Sequence, residues 1–308
     1  MTESLNSEFL LIKIASNRAT FPLLLAASFI AGWRPLTATF ALALRNDQYT
    51  HILLILPVSV ALIVLEWPSL QGKFVPNIPA GSAFLALAVF VAALAVLPPS
   101  AFSPDVQLSI RMFALVLFWI GACVLCLGLQ AGRVLLFPLC FLFWLVPFPS
   151  AVLASIVTLL QQGSAATAHW LFTAVGVPVL QDGIVLNIPG LTVEVSQECS
   201  SIRSSSMLLV TSMVLAQVLL RSPWRKASVI AVAVPLSVAK NGLRIFTISM
   251  LGTHVDPGYL TGRLHHQGGI VFFAVALATV FGLITLLKRG ERSAVSAETL
   301  LRANPAGG

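Results

Sequence analysis

Residues 196–220 read SQECSSIRSSSMLLVTSMVLAQVLL, a polar segment that runs directly into an apolar one. A helix from near Glu198 to near Leu220 has roughly the 20 residues that are needed to cross a bilayer. Cys199 then lies in the first helical turn, where unsatisfied backbone N–H groups and the helix dipole favour a thiolate. Arg203 follows four residues later on the same helix face. The stretch therefore predicts a membrane helix that begins with a reactive cysteine.

The composition predicts several such helices in a polytopic membrane protein. Of 308 residues, 57% are hydrophobic and 9% are charged, and the mean hydropathy of +0.94 is far above what a soluble core requires. The formal net charge is +7, but the basic residues are scattered between apolar runs instead of forming a stripe interleaved with aromatic residues. Nucleic-acid binding is therefore not expected. No cleavable signal peptide is evident, so we expect the first apolar segment to be a retained helix.

Apolar runs separated by charged residues and proline predict eight spans. They are Phe21–Leu44, His51–Leu65, Ala80–Leu97, Leu108–Leu129, Arg133–Val146, Glu198–Leu220, Ala227–Leu251 and His266–Leu287. Arg34-Pro35 interrupts the first run and predicts a kink or a long, tilted span. Ser150–Val177 is mildly apolar and carries Gln161 and Gln162, so we expect an interfacial or re-entrant segment there.

A short β segment is predicted just before Cys199. Val179–Val195 is rich in Val, Ile, Leu and Thr around an Asp-Gly and a Pro-Gly pair, as two short strands joined by a turn would be. The fold class that we expect is therefore all-α, a polytopic membrane helical bundle of about eight transmembrane helices with a short β-hairpin-like external segment.

The basic residues predict the orientation of the bundle. With both termini in the cytoplasm, most of the 18 Lys and Arg residues fall on one side, as the positive-inside rule requires. Cys199 then lies at the external surface. We expect a cytoplasmic N-terminal segment at 1–20, a transmembrane domain at 21–287 and a polar, disordered cytoplasmic tail at 288–308.

A second polar group interrupts the seventh predicted span. Lys240, Asn241 and Arg244 share one helix face. An arginine at this depth is costly and by default functional, facing the bundle interior or a water-filled cavity. The alternative is an ion pair with Glu198 or Asp256 that fixes helix packing.

A third polar group, His265 and His266, lies at the start of the eighth predicted span. The dipole at a helix N-terminus favours neutral histidine, which suits a general base near neutral pH. A thiol, a histidine and an arginine at one depth are the parts of cysteine acyl transfer. In that reaction the thiolate attacks an amide carbonyl, the histidine moves the proton, and the arginine stabilises the oxyanion or the thiolate.

The remaining cysteines do not predict a metal or redox site. Cys123 and Cys126 form a Cys-x-x-Cys pair within an apolar run, but no second ligand pair or histidine lies nearby in the sequence. We interpret them as small buried hydrophobic residues, and we expect no metal and no organic cofactor.

At these residues the chain resembles the exosortase/archaeosortase family of integral-membrane cysteine transpeptidases. Gln-Glu-Cys199-Ser-Ser-Ile-Arg is similar to the family's Glu-x-Cys-Ser-Gly segment. Asn241-Gly-Leu-Arg244-Ile is similar to its Asn-x-x-Arg-Ile segment, and His265-His-Gln-Gly-Gly269 to its His-x-x-x-Gly segment. The resemblance extends from about residue 35 to 287.

Two positions depart from the family pattern. Ser201 stands where glycine usually follows Cys-Ser, and Gln197 precedes Glu-Cys. Either difference could alter the local turn or mark a divergent subgroup.

The resemblance implies that Cys199 is the nucleophile, Arg244 the charge-stabilising arginine and His265 the proton-transfer residue. His266 is the alternative base. The residues expected to bind substrate or to support the site are Glu198, Ser200, Arg203, Asn241 and His266.

The resemblance also implies a substrate. Family members recognise a C-terminal sorting signal on exported proteins, a short motif such as Pro-Glu-Pro followed by a transmembrane helix and a basic tail. They cleave near the motif through a thioester and pass the acyl group to an acceptor in the envelope. The expected partners are such exported proteins, membrane lipid and an acyl acceptor, and the exosortase branch indicates a bacterial inner membrane with the active site facing the periplasm.

An alternative function belongs to another class. In a transporter or assembly factor for an envelope polysaccharide, Arg203, Lys240 and Arg244 would line a path for an anionic substrate.

Overall fold

The computed structural model describes residues 19–70, 74–97, 101–195, 202–261 and 269–303. Six helices in this part of the chain are long and apolar enough to cross a membrane, and a bent pair of helices forms a seventh candidate. The expected all-α polytopic fold is therefore confirmed. The chain divides into two compact units, Met1–Leu153 and Ala154–Gly308.

The secondary-structure elements in the described part of the first unit are all helices or 3₁₀ turns. Its helices are α1 (Thr20–Ala31), α2 (Trp33–Arg45), α3 (Ile52–Leu70), α4 (Ile78–Leu94), α5 (Pro104–Val134) and α6 (Leu136–Phe141), with 3₁₀ turns at Asp47–Tyr49 and Leu142–Leu145. Helices α1 and α2 are bent by 65°, which confirms the predicted kink. The bend lies at Gly32, ahead of Arg34-Pro35, because proline is tolerated in the first turn of a helix.

Glycines set the packing of α4 on α5. A Cβ added at Gly81 would lie 2.5 Å from Leu125 Cα, so only glycine permits this approach. Gly128 interrupts α5 with a φ of 89°, a conformation that side-chain-bearing residues rarely adopt. A Cβ there would lie 1.8 Å from the carbonyl oxygen of Val75.

The predicted span Arg133–Val146 is not one helix. The structure replaces it with the end of α5, the short helix α6 and the 3₁₀ turn, and the apolar helical stretch Leu136–Leu145 is shorter than a straight span. Tyr49 Oη donates a hydrogen bond to Phe148 O at 2.9 Å, which holds the chain where this stretch ends.

The second unit contains all of the predicted site residues. Its elements are α7 (Ser150–Ala174), which starts at the boundary, β1 (Leu180–Asp182), β2 (Val185–Ile188), β3 (Leu191–Glu194), α8 (Ile202–Leu219), α9 (Pro223–His254), α10 (Gly258–Thr261) and α11 (Gly269–Ala303). Helix α7 corrects the expectation for Ser150–Val177. It is one unbroken helix of 25 residues that is long and apolar enough to cross a membrane.

The segment after α7 forms three antiparallel strands in the order β1-β2-β3, one more than the hairpin that was predicted. Gly183 and Gly190 both have positive φ, 59° and 81°, so each turn signal in the sequence makes a turn. Leu186 and Ile188 of this sheet, and Val195 directly after it, pack onto apolar residues of α7 and α9.

Contacts between the long helices of the second unit show the direction in which each helix runs. Ser164 contacts Asn241, and the ring of Phe172 packs edge-to-face on that of Phe246 with 5.0 Å between the centroids, so α7 and α9 run in the same direction. Lys226 on α9 contacts Gln217 near the end of α8, so α8 runs the opposite way.

Helix α11 is also antiparallel to α9, because Arg225 near the start of α9 contacts Leu287 O at 2.8 Å. An apolar cluster from α8, α9 and α11 joins the three helices. The N-termini of α8 and α11 therefore lie at the end where α7 and α9 terminate.

Helix α11 continues further than the sequence predicted. It runs to Ala303, so disorder over Lys288–Gly308 is wrong as far as that residue. Alanine, leucine, glutamate and arginine in the tail favour helix. The Glu291 carboxylate accepts hydrogen bonds from the backbone N–H of Arg221 and Ser222, the latter at 2.8 Å.

Candidate functional site

Helix α9 carries a buried polar face at mid-length. Lys240 is 7% exposed and Asn241 1% exposed, and Arg244 is partly buried one turn further along the helix. Buried charge and amide groups in a membrane helix are costly unless other groups bind them. Their contacts therefore indicate what the site is built from.

The first contact joins α9 to the start of α8. Lys240 Nζ donates a hydrogen bond to the hydroxyl of Ser204, which lies in the first turn of α8. Ser204 follows Cys199 by five residues. The ammonium group is thus hydrogen-bonded to the helix that follows the cysteine segment, residues 196–201, in the sequence.

The second contact joins α9 to α7. Asn241 Nδ2 donates a hydrogen bond to Ser164 Oγ at 3.0 Å, and the bond is buried. At the next residue, a Cβ added to Gly242 would lie 2.5 Å from Thr167 Cβ and 3.0 Å from Ser164 O. The missing side chain lets the two helices approach closely enough for the amide to reach the serine.

The third contact places Arg244 at the start of α11. A Cβ added at Gly269, the first residue of this helix, would lie 3.9 Å from Arg244 Nη1. Gly269 follows His266 by three residues. Arg244 also lies about 6 Å of helix rise beyond Lys240, toward the end at which α8 begins. The guanidinium is thus next to the start of α11, and it lies toward the same end of α9 as the start of α8.

The fourth contact holds the chain just ahead of the cysteine segment. Gln161 Nε2 on α7 donates a hydrogen bond to Val195 O at 2.7 Å, and Val195 N donates to Ile184 O at 3.0 Å. Val195 precedes Cys199 by four residues. In the sequence, Gln161 indicates an interfacial segment, and its bond to Val195 is not apparent there.

Several predicted site residues lie outside the described part of the chain: Glu198, Cys199, Ser200, His265 and His266. The proposed start of the cysteine helix near Glu198 lies there too, and α8 is described from Ile202. Arg203 is exposed in the first turn of α8. The structure therefore brings Lys240 and Arg244 next to the helix starts that follow the cysteine and the histidines, whereas Asn241 is bonded to Ser164 of α7.

The other cysteines lie apart from these contacts in the sequence. Cys123 and Cys126 are free and buried in α5, as expected, and Cys140 is free and exposed. Among the described residues, no group of three or more His, Cys, Asp and Glu side chains could hold a metal ion.

Comparison with known protein families gives a match over most of the chain. The sequence profile of the transmembrane exosortases matches residues 43–282. No curated protein and no solved structure matches the chain significantly. The matched range covers more than half of the chain and includes every site residue named above.

Proposed function

The chain belongs to the transmembrane exosortase family, and on this premise we propose that it is a membrane-embedded cysteine transpeptidase or protease. Its substrates would be exported proteins that end in a sorting signal of the Pro-Glu-Pro type. The many apolar helices make it an integral membrane protein. We place it in the bacterial inner membrane with the site facing the periplasm, flanked by cytoplasmic segments at 1–20 and 288–308.

The proposed chemistry is acyl transfer through a thioester. The Cys199 thiolate adds to the scissile carbonyl carbon, and a new C–S bond forms as the carbonyl oxygen takes the negative charge. His265, which took the proton of the Cys199 thiol when the thiolate formed, then gives that proton to the departing amine as the C–N bond breaks and the carbonyl re-forms. An acceptor nucleophile attacks the thioester, gives its proton to His265 and releases the thiolate. Either water or an envelope amine or hydroxyl would complete the cycle.

Arg244 would stabilise the charge that this reaction develops. In a water-poor site a fixed guanidinium stabilises an oxyanion more strongly than it would in water. Glu198, Ser200 and Arg203 would bind substrate around the nucleophile, Asn241 would orient the arginine-bearing helix, and His266 is the alternative base.

One observation carries the proposal. Arg244 lies against the first residue of α11, while the same helix face is bonded through Lys240 to the first turn of α8. The segment with Cys199 leads into α8, and the segment with His265 leads into α11. The arginine is therefore near the points from which both reacting side chains would be supplied.

The test is co-expression with a tagged protein that ends in a Pro-Glu-Pro-type signal. Wild type and Cys199→Ala are compared by gel shift and mass spectrometry, and Cys140→Ala, at an exposed cysteine, is the matched control. We expect cleavage near the motif by wild type and Cys140→Ala and no cleavage by Cys199→Ala. Undiminished cleavage by Cys199→Ala would overturn the proposal. The mass added at the new terminus distinguishes hydrolysis from transpeptidation.

A further inference from the structure

The bond between Gln161 and Val195 lies deep in the second unit. Gln161 is 8% exposed and Val195 is fully buried, and Nε2 and the carbonyl oxygen are 2.7 Å apart. Gln161 is near the middle of the 25-residue helix α7, about 20 Å of helix rise before its last residue. The chain after β3 therefore reaches well down the length of α7 before the cysteine segment begins.

A backbone carbonyl at this depth needs a partner. Val195 follows the last residue of β3 and lies in none of the helices in the described part of the chain. An unsatisfied carbonyl costs several kcal/mol in the hydrocarbon core, on the order of what a lost buried hydrogen bond costs elsewhere. Gln161 supplies the donor. This accounts for a buried glutamine in the middle of an apolar helix.

The same face of α7 also holds the arginine-bearing helix. Ser164 lies three residues after Gln161, on the same face, and accepts the hydrogen bond from Asn241. Asn241 precedes Arg244 by three residues. One face of α7 thus binds the chain shortly before the proposed nucleophile and the helix shortly before the proposed charge-stabilising group.

We propose that Gln161 is a positioning residue for the cysteine site. Its hydrogen bond fixes the depth at which the chain leaves the sheet toward Cys199, in register with the helix that carries Arg244. The inference rests on the proposed cysteine mechanism. The residue that it adds acts through the backbone of Val195.

The neighbouring glutamine provides the control. Gln162 is exposed, so Gln162→Leu makes the same chemical change one residue away without removing the bond to Val195. Leucine is close to glutamine in size and favours the membrane, so insertion of both variants is retained. Gln161→Glu adds a second comparison, because a carboxyl group can donate to Val195 O only when it is protonated.

The assay is cleavage of the tagged substrate by purified full-length protein in detergent, with rates normalised to the folded protein recovered by gel filtration. We expect Gln161→Leu to lower kcat on the order of 10- to 100-fold, the effect of moving a reacting group by about 1 Å. KM is expected to change little, and Gln162→Leu is expected to match wild type. The rate of Gln161→Glu relative to wild type is expected to rise as the pH falls.

Equal kcat values for Gln161→Leu and Gln162→Leu would overturn the positioning role. So would a ratio of Gln161→Glu to wild type that does not change with pH, since a packing role does not depend on the carboxyl proton. Cys199→Ala in the same assay separates the two proposals. Cleavage by Cys199→Ala refutes the cysteine mechanism itself, whereas an inactive Cys199→Ala beside a fully active Gln161→Leu refutes the positioning role alone.

Discussion

Replacing Gly242 with alanine places a methyl group between α7 and α9. The added carbon would lie 2.5 Å from Thr167 Cβ, 2.6 Å from its Cγ2 and 3.0 Å from Ser164 O. The first and last of these neighbours are close to or part of the backbone, so the helices themselves must separate. Overpacking of this kind costs about 1–3 kcal/mol. The separation also stretches the bond between Ser164 and Asn241.

Gly282 in α11 is the matched control, because a Cβ there meets nothing within 4 Å. Alanine in place of a helical glycine contributes about 0.5–1 kcal/mol of stability at either position. This contribution cancels when the two variants are compared. The free energy of unfolding of Gly242→Ala is therefore expected to be about 1–3 kcal/mol below that of Gly282→Ala.

The assay is reversible unfolding in mixed micelles, with substrate cleavage measured on the same samples. The double variant Gly242→Ala/Thr167→Gly removes the two closest atoms and is expected to recover part of the loss, as a coupling energy in a double-mutant cycle. Equal free energies of unfolding for Gly242→Ala and Gly282→Ala would refute the close packing of α7 on α9, on which the geometry of the site depends.

Three further variants test other parts of the structure. Gly128→Ala is expected to destabilise the protein by roughly 2 kcal/mol or more, because φ is positive there and the added carbon would lie 1.8 Å from Val75 O; an unchanged unfolding midpoint contradicts this. Glu291→Ala removes the hydrogen-bond acceptor at the start of α9, so the free energy of unfolding is expected to fall by about 1 kcal/mol and amide exchange at that helix start to become faster. Unchanged amide exchange would contradict this. Ser164→Ala removes the partner of the buried Asn241 amide and is expected to cost about 1–3 kcal/mol, which a neutral effect on unfolding would contradict.

The parts of the fold that depend on local hydropathy and on turn-forming residues were predictable from the sequence. The long apolar runs predict most of the spans. The Asp-Gly and Pro-Gly pairs predict the β segment, in which the structure has two turns instead of one. Helix α7 was missed because its polar residues lowered the apparent apolarity. Gln161 and Ser164 face Val195 and Asn241, partners that the local sequence does not reveal.

The site was predictable as a set of residue types and a shared helix face. The spacing of Lys240, Asn241 and Arg244 follows from the helical period alone. Their nearness to the starts of α8 and α11 depends on tertiary packing, which one sequence does not determine. The interruption of α5 at Gly128 was also not predictable, since nothing in the surrounding sequence distinguishes this residue from a glycine with ordinary helical φ.

The most direct test of the mechanism is to find the thioester. Purified protein is mixed with the sorting-signal substrate, quenched in acid during turnover and digested, and the peptide that contains Cys199 is examined by mass spectrometry. We expect a fraction of this peptide to carry the substrate's acyl fragment on the cysteine sulfur and to lose it in neutral hydroxylamine. An unmodified Cys199 peptide throughout a reaction in which the same sample cleaves its substrate would contradict the account.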